Sequence, residues 1–186
     1  MASSLLSPGL AATSKVIDEI KSNNYRVSTV MDIKNDTKYN LVSGSIFAVN
    51  GSVLQSPLVL KSNSSDFVAT RKTWGLAKGT HGILSYTFEN NPDKKIVVLW
   101  SAPFNFDFYK NRLGVGITTD SKDIDIQLFD QMIKDKPIDS LTYKIDKFKS
   151  ARMVPVIAKY EDVVVEGTMS SDHNAYVKIH IRSESG

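Results

Sequence analysis

The chain has 186 residues, with 23 Lys and Arg against 20 Asp and Glu, for a formal net charge of +3. A length of this order buries a core without help from metals or disulfides, and the absence of cysteine excludes disulfides, thiolate metal sites and a Cys nucleophile. No run approaches the ~18 apolar residues of a membrane-spanning helix, and no dense Lys/Arg stripe marks a nucleic-acid surface.

Residues 3–24 read as an amphipathic helix, with Ser7-Pro8 as start signal and Asn23-Asn24 as stop. Leu10, Ile17 and Ile20 recur at helical spacing, and Asp18, Glu19 and Lys15 take the other face. The opening Met1-Ala2-Ser3-Ser4-Leu5-Leu6 has no charged n-region and is not read as a signal peptide. Sequons at Asn35, Asn50 and Asn63 are compatible with secretion.

From Tyr25 to Ile117 the chain reads as β-structure. Expected strands are 25–32, 39–49, 54–60, 66–73, 82–89, 94–100 and 113–118, rich in Val, Ile, Thr and aromatics and separated by Asn/Asp/Gly/Ser turns. Asn90-Asn91-Pro92-Asp93 predicts a hairpin. The period then becomes helical over residues 122–135, where Leu128, Phe129, Met132 and Ile133 form one stripe. Strands at 163–168 and 175–181 close the chain; in the latter Val177, Ile179 and Ile181 alternate with Tyr176, Lys178 and His180. Lys144, Lys147, Lys149 and Arg152 read as a solvated basic face. The expected fold is mainly β: one domain over residues 1–186, a two-sheet β-sandwich body at 25–182 flanked by two helices, and an amphipathic segment at 1–24.

His81, His173 and His180 are too scattered for a metal site, and there is no phosphate loop, dinucleotide fingerprint or nucleophile elbow. The acidic residues around 120–135 alternate with lysines and suit a solvated helix face. No catalytic residue, cofactor or metal is nominated, and the chain is not expected to be an enzyme. The densest signal is Ser101-Ala102-Pro103-Phe104-Asn105-Phe106-Asp107-Phe108-Tyr109-Lys110-Asn111, directly after the apolar run 96–100. Aromatic rings gathered after a strand suit ordinary core, a partner surface or a membrane interface, and the pattern alone leaves these open.

This stretch, together with Gly79-Thr80-His81-Gly82-Ile83-Leu84-Ser85-Tyr86 and the C-terminal Gly167-Thr168-Met169-Ser170-Ser171, resembles the actinoporins, pore-forming cytolysins of sea anemones. The resemblance runs from about Tyr25 to Ile181, and only the central motif is specific. It implies a β-sandwich that binds a lipid headgroup, typically the phosphocholine of sphingomyelin. It further implies self-association on the target membrane and insertion of the N-terminal segment to line a cation-permeable pore. Such a protein is secreted and acts at a target cell membrane.

Transferred residue by residue, the resemblance places Ser101, Pro103, Tyr109, His81, Phe129 and Lys134 at the headgroup. Phe106, Phe108, Arg112 and Leu113 fall at the membrane interface, and Leu5, Leu6, Leu10, Ile17 and Ile20 on the inserting segment. The chain departs from the family at several of these positions. His81 replaces a small apolar residue; Phe129, Ile133 and Lys134 stand where three Tyr are usual; Arg112-Leu113 replaces a Trp pair and Phe108 a Trp. The family's Arg-Gly-Asp is missing from residues 137–143. Lost cage aromatics remove cation–π attraction for a choline ammonium, so an altered headgroup preference is expected. A helix restricted to residues 8–22 would span ~22 Å, short of the ~30 Å hydrocarbon core. The alternative function is a non-lytic lectin or lipid-binding module on the same sandwich, with a glycan as possible ligand.

Overall fold

The computed structural model describes residues 8–149 and 154–184. Helix α1 spans Pro8–Ser22 and stops where expected: the Asn23 amide donates to the Glu19 carbonyl at 2.9 Å, and Asn24 turns to φ 47°. An Asn in the left-handed region is a common helix terminator, because its short polar side chain tolerates that backbone. Among the described residues eleven strands follow. They are β1 (Ser28–Asp36), β2 (Leu41–Asn50), β3 (Ser52–Gln55), β4 (Ser64–Arg71), β5 (Thr80–Phe88), β6 (Asn91–Ala102) and β7 (Asn111–Thr118), then, after helix α2 (Ile126–Ile133), β8 (Leu141–Phe148), β9 (Val156–Tyr160), β10 (Val163–Met169) and β11 (Asn174–Ser183).

The strands form two sheets, in the orders β3-β4-β1-β11-β10-β9 and β2-β5-β6-β7-β8. All neighbours are antiparallel except β1 and β11, which join the two ends of the fold side by side. The inner faces meet in one apolar core containing Met31, Ile33, Leu84, Trp100, Leu113 and Val177, each fully buried. At period two, every second residue of a strand points into this core. The outer face of the five-stranded sheet carries a second, smaller core. There Ile83, Val97 and Leu99 receive Phe129 and Met132 of α2.

The ends of the sheets are tied together by buried hydroxyls. The Trp100 indole N–H donates to Thr80 Oγ at 3.1 Å, Thr80 pairs with Thr70 at 2.8 Å, and Thr70 with Thr29 at 2.6 Å. This chain crosses from the five-stranded to the six-stranded sheet beside the aromatic stretch. It pairs polar groups that would each cost about 1–3 kcal/mol if buried alone.

The two-sheet sandwich with two helices agrees with the sequence reading; several boundaries do not. Residues 54–60 are not one strand. β3 ends at Gln55, Pro57 offers no N–H to a ladder, and Leu60 makes only an isolated bridge to Leu41. Helix α2 starts at Ile126 rather than 122, because the Asp125 carboxylate caps it, accepting from the Leu128 N–H at 2.8 Å. Strands β8 and β9 were absent from the sequence reading. Both are edge strands of their sheets. Edge strands carry charged residues that blunt aggregation, and the lysines of β8 therefore read only as a solvated basic face.

Candidate functional site

On the outer face of the five-stranded sheet, four side chains stand in one row across four strands. His81 of β5 lies opposite Ser101 of β6, Ser101 opposite Arg112 of β7, and Arg112 opposite Lys147 of β8. Directly opposed residues share a face and sit about 5 Å apart. The row is thus fixed by strand register rather than by sequence proximity. Ser101 Oγ lies 3.3 Å from His81 Nδ1. Burial, reinforced by the charge of Lys78, lowers the His81 pKa below its ordinary value of 6.5. The buried Gly79 makes this end of the row possible: a Cβ there would lie 1.8 Å from the Ala102 carbonyl oxygen.

The row floors a groove of about 710 Å³. One wall is the stretch after β6, contributing Pro103, Phe104, Asn105, Phe108, Tyr109 and Lys110; the other is Phe129 and Ile133 of α2. Lys78 lies at one end, and Lys147 of β8 and Lys149 just after that strand lie at the other.

The aromatic wall is a braced turn. Asn105 accepts from the Asp107 N–H at 2.8 Å through its side chain and from the Tyr109 N–H at 3.2 Å through its carbonyl. The Lys110 ammonium donates to the Phe106 carbonyl. From below, Phe106 stacks on His173 with ring centroids 3.9 Å apart, and His173 Nε2 meets the Phe104 carbonyl at 3.1 Å. Phe104 is half-buried, with Arg26 and Lys72 at 5.5 and 5.6 Å from its ring centre. The turn therefore spends Phe104 and Phe106 on its own support and leaves Phe108 79% and Tyr109 66% exposed.

Of the headgroup residues expected from the sequence, His81, Ser101, Pro103, Tyr109 and Phe129 line this groove. Lys134 does not line it; it forms the C-cap of α2, and Ile133 takes the wall position. Of the expected interface residues, Phe108 is exposed and Arg112 is half-buried in the groove floor. Leu113 is a correction. It is fully buried in the sandwich core, because the strand alternation that turns Arg112 outward turns its neighbour inward. Phe106 is corrected in part: its face is covered by His173 rather than presented to a membrane.

On α1, Ile17 is half-buried and Ile20 buried. A cavity of about 500 Å³ separates this part of the helix from Val30 of β1 and Ala175 and Tyr176 of β11. Leu10 lies on the helix, and Leu5 and Leu6 fall outside the described residues. Arg152 of the basic cluster also falls outside them. Sequence reasoning missed Trp74, 85% exposed in the loop that leads to Lys78. It also missed the role of Lys147 and Lys149 as groove lining. A Trp between Thr73 and Gly75 was the available signal for the first; for the lysines no local signal exists.

Comparison with known proteins is consistent across sequence and fold. Residues 6–183 match the sequence profile of the family described as sea anemone cytotoxic protein. The chain is 28% identical to Tereporin-Ca1 of Terebra anilis over 183 residues, covering 95% of each. It is 27% identical to Conoporin-Cn1 of Conus consors over 186 residues, covering 100% of this chain and 74% of the relative. The fold resembles the crystal structure of the lipid binding protein Nakanori, with a TM-score of 0.68 at 16% identity, over 94% of this chain and 79% of that one.

Proposed function

We propose how this chain, which belongs to the sea anemone cytotoxic protein family, divides membrane attack among its parts. Its general activity is that of its relatives: a pore-forming cytolysin toxin and not an enzyme. In our reading the protein is secreted and meets a target cell membrane through the aromatic turn. The groove beside that turn then takes a phosphate-bearing lipid headgroup. Several copies associate on the membrane, and the segment ending in α1 leaves the body and inserts to line a cation-permeable pore.

One observation supports docking above the rest. Phe108 and Tyr109 project from a turn whose other aromatics hold it rigid, so two large rings stay in solvent at the groove's rim. Exposed rings held this way gain by entering the interfacial zone, where an apolar face and a polar edge are both satisfied. A rigid turn also loses little conformational freedom on binding. Insertion is supported by the weak seating of α1. Over its described side chains only Ile20 is buried, and a cavity lies beneath the helix. Among the described residues no helix is long and apolar enough to cross a membrane alone. Shared insertion around a polar lumen suits an amphipathic segment better.

A cross-link tests the reading. The chain has no cysteine of its own, so Ile17→Cys and Tyr176→Cys introduce one on each side of the cavity under α1. Joined by a short bifunctional maleimide, the variant should still sediment with vesicles but release no trapped dye, whereas the unlinked variant should do both. Full release by the linked protein would remove α1 departure from the mechanism. The fold likeness to a lipid binding protein keeps a second reading, a non-lytic lipid binder. That reading takes over if the unlinked protein binds vesicles without releasing dye.

A further inference from the structure

The groove that faces the membrane in the reading above is cationic out of proportion to the molecule. Lys78, Lys110, Arg112, Lys147 and Lys149 line it, and among the described lining residues there is no Asp or Glu. The chain as a whole is nearly balanced, at +3. None of these five cations is in an ion pair with a carboxylate among the described residues.

The arrangement is also unfavourable as plain structure. Arg112 and Lys147 stand directly opposite each other on adjacent strands, and like charges in that relation destabilise a sheet. Arg112 is half-buried, and its Nε is buried with no hydrogen-bond partner. Asp135 and Asp146 act on Arg112 from outside the groove, yet burial outweighs them and its pKa is lowered. A guanidinium nevertheless stays charged. A buried donor and an opposed cation pair are costs that a bound anion would remove.

The same groove is poorly built for a choline ammonium. Of the rings inside the groove, Phe104 already faces Arg26 and Lys72, and Phe129 is buried in the outer core. Phe108 and Tyr109 offer their rings only at the rim. A quaternary cation in the groove would join five others.

We infer that the groove selects a lipid headgroup of net negative charge, a phosphate whose charge no ammonium balances, with Arg112 and Lys147 as its principal contacts. This assignment rests on the reading of the groove as the headgroup site.

The test is co-sedimentation of the full chain at physiological salt with three sets of vesicles. These are phosphatidylcholine alone, the same doped with sphingomyelin, and the same doped with phosphatidic acid. Binding should be at least about tenfold tighter to the phosphatidic acid vesicles. Arg112→Gln and Lys147→Gln should each weaken that binding about fivefold, in line with the contribution of one basic residue near an anionic surface. Lys178→Gln, on β11 of the opposite sheet, should change it less than twofold. Thermal unfolding verifies that each variant is folded, and Arg112→Lys should recover part of the loss.

Equal losses for Lys178→Gln and Arg112→Gln would mean general surface attraction and overturn the assignment. Tighter binding to sphingomyelin vesicles would overturn it while leaving the headgroup site standing. Binding to none of the three would remove the headgroup site itself. Soluble glycerol 3-phosphate, titrated without vesicles, should bind far more weakly than the membrane. Comparable affinity would place the ligand in solution and overturn a lipid.

Discussion

Phe106 lies flat on His173, ring centroids 3.9 Å apart and planes 16° from parallel, so the aromatic turn after β6 rests on the hairpin between β10 and β11. Asn111, at the far end of the turn, makes the same connection through its amide. It donates to the carbonyls of Ser170 at 2.8 Å and Asp172 at 2.9 Å. The last hairpin of the chain is therefore the bed on which the exposed rings of Phe108 and Tyr109 are held, although about sixty residues of sequence separate them.

That relationship predicts a stability effect. Asn111 is buried, and Asn111→Ala strands two carbonyls that receive no other side-chain donor among the described residues. A loss of about 1–3 kcal/mol in urea unfolding is expected. Because the turn loses its anchor, vesicle binding should weaken even under conditions where the variant is fully folded. A variant as stable as the parent would show that the stacking of Phe106 on His173 suffices by itself.

Tyr109→Ala separates membrane contact from folding. The side chain is 66% exposed, so its removal should change unfolding by less than about 0.5 kcal/mol, as surface substitutions usually do. Vesicle co-sedimentation should fall about tenfold, the weight of one interfacial ring. Unchanged binding by a folded Tyr109→Ala would take the turn out of the membrane-docking step.

His81 gives a pH dependence with a defined sign. Burial and Lys78 hold its pKa below 6.5 in the folded protein, and the unfolded chain has the ordinary value. Between the two values the unfolded state binds more protons, so stability rises with pH in that window. The contribution is complete above pH 6.5 and is lost as pH falls through the folded value. The charged groups facing His81 along its row and at the groove end are Arg112, Lys147 and Lys78, all positive, so none offsets the sign. Unfolding measured from pH 7.5 downward should therefore show a decline below about pH 6.5 that His81→Gln reduces. Equal slopes for both proteins would assign the decline to other groups.

The sequence by itself determined the class of fold, because period and punctuation are local properties. Alternation marked most strands, the stripe Leu128–Ile133 marked the second helix, and Asn23-Asn24 marked the end of the first. The motif Ser101 to Asn111 marked where aromatics gather, but the pattern left core and surface open, because the turn is braced from the distant hairpin at residues 170–173. Strands β8 and β9 stayed hidden because an edge strand owes its pairing to a neighbour and carries the lysines of a solvated face. Only the tertiary structure decided what each ring does. Phe106 and Phe108 share a period, yet one is covered by His173 and the other faces solvent. It also decided that Leu113 belongs to the core and Arg112 to the groove. Above all it assembled the charge. Lys78, Lys110, Arg112, Lys147 and Lys149 come from three separate parts of the chain and form no stripe in sequence. The register of β5, β6, β7 and β8 sets Arg112 beside Lys147 and brings the segments that carry the other three to the same groove, because cross-strand neighbours are chosen by hydrogen-bond pairing and not by distance along the chain.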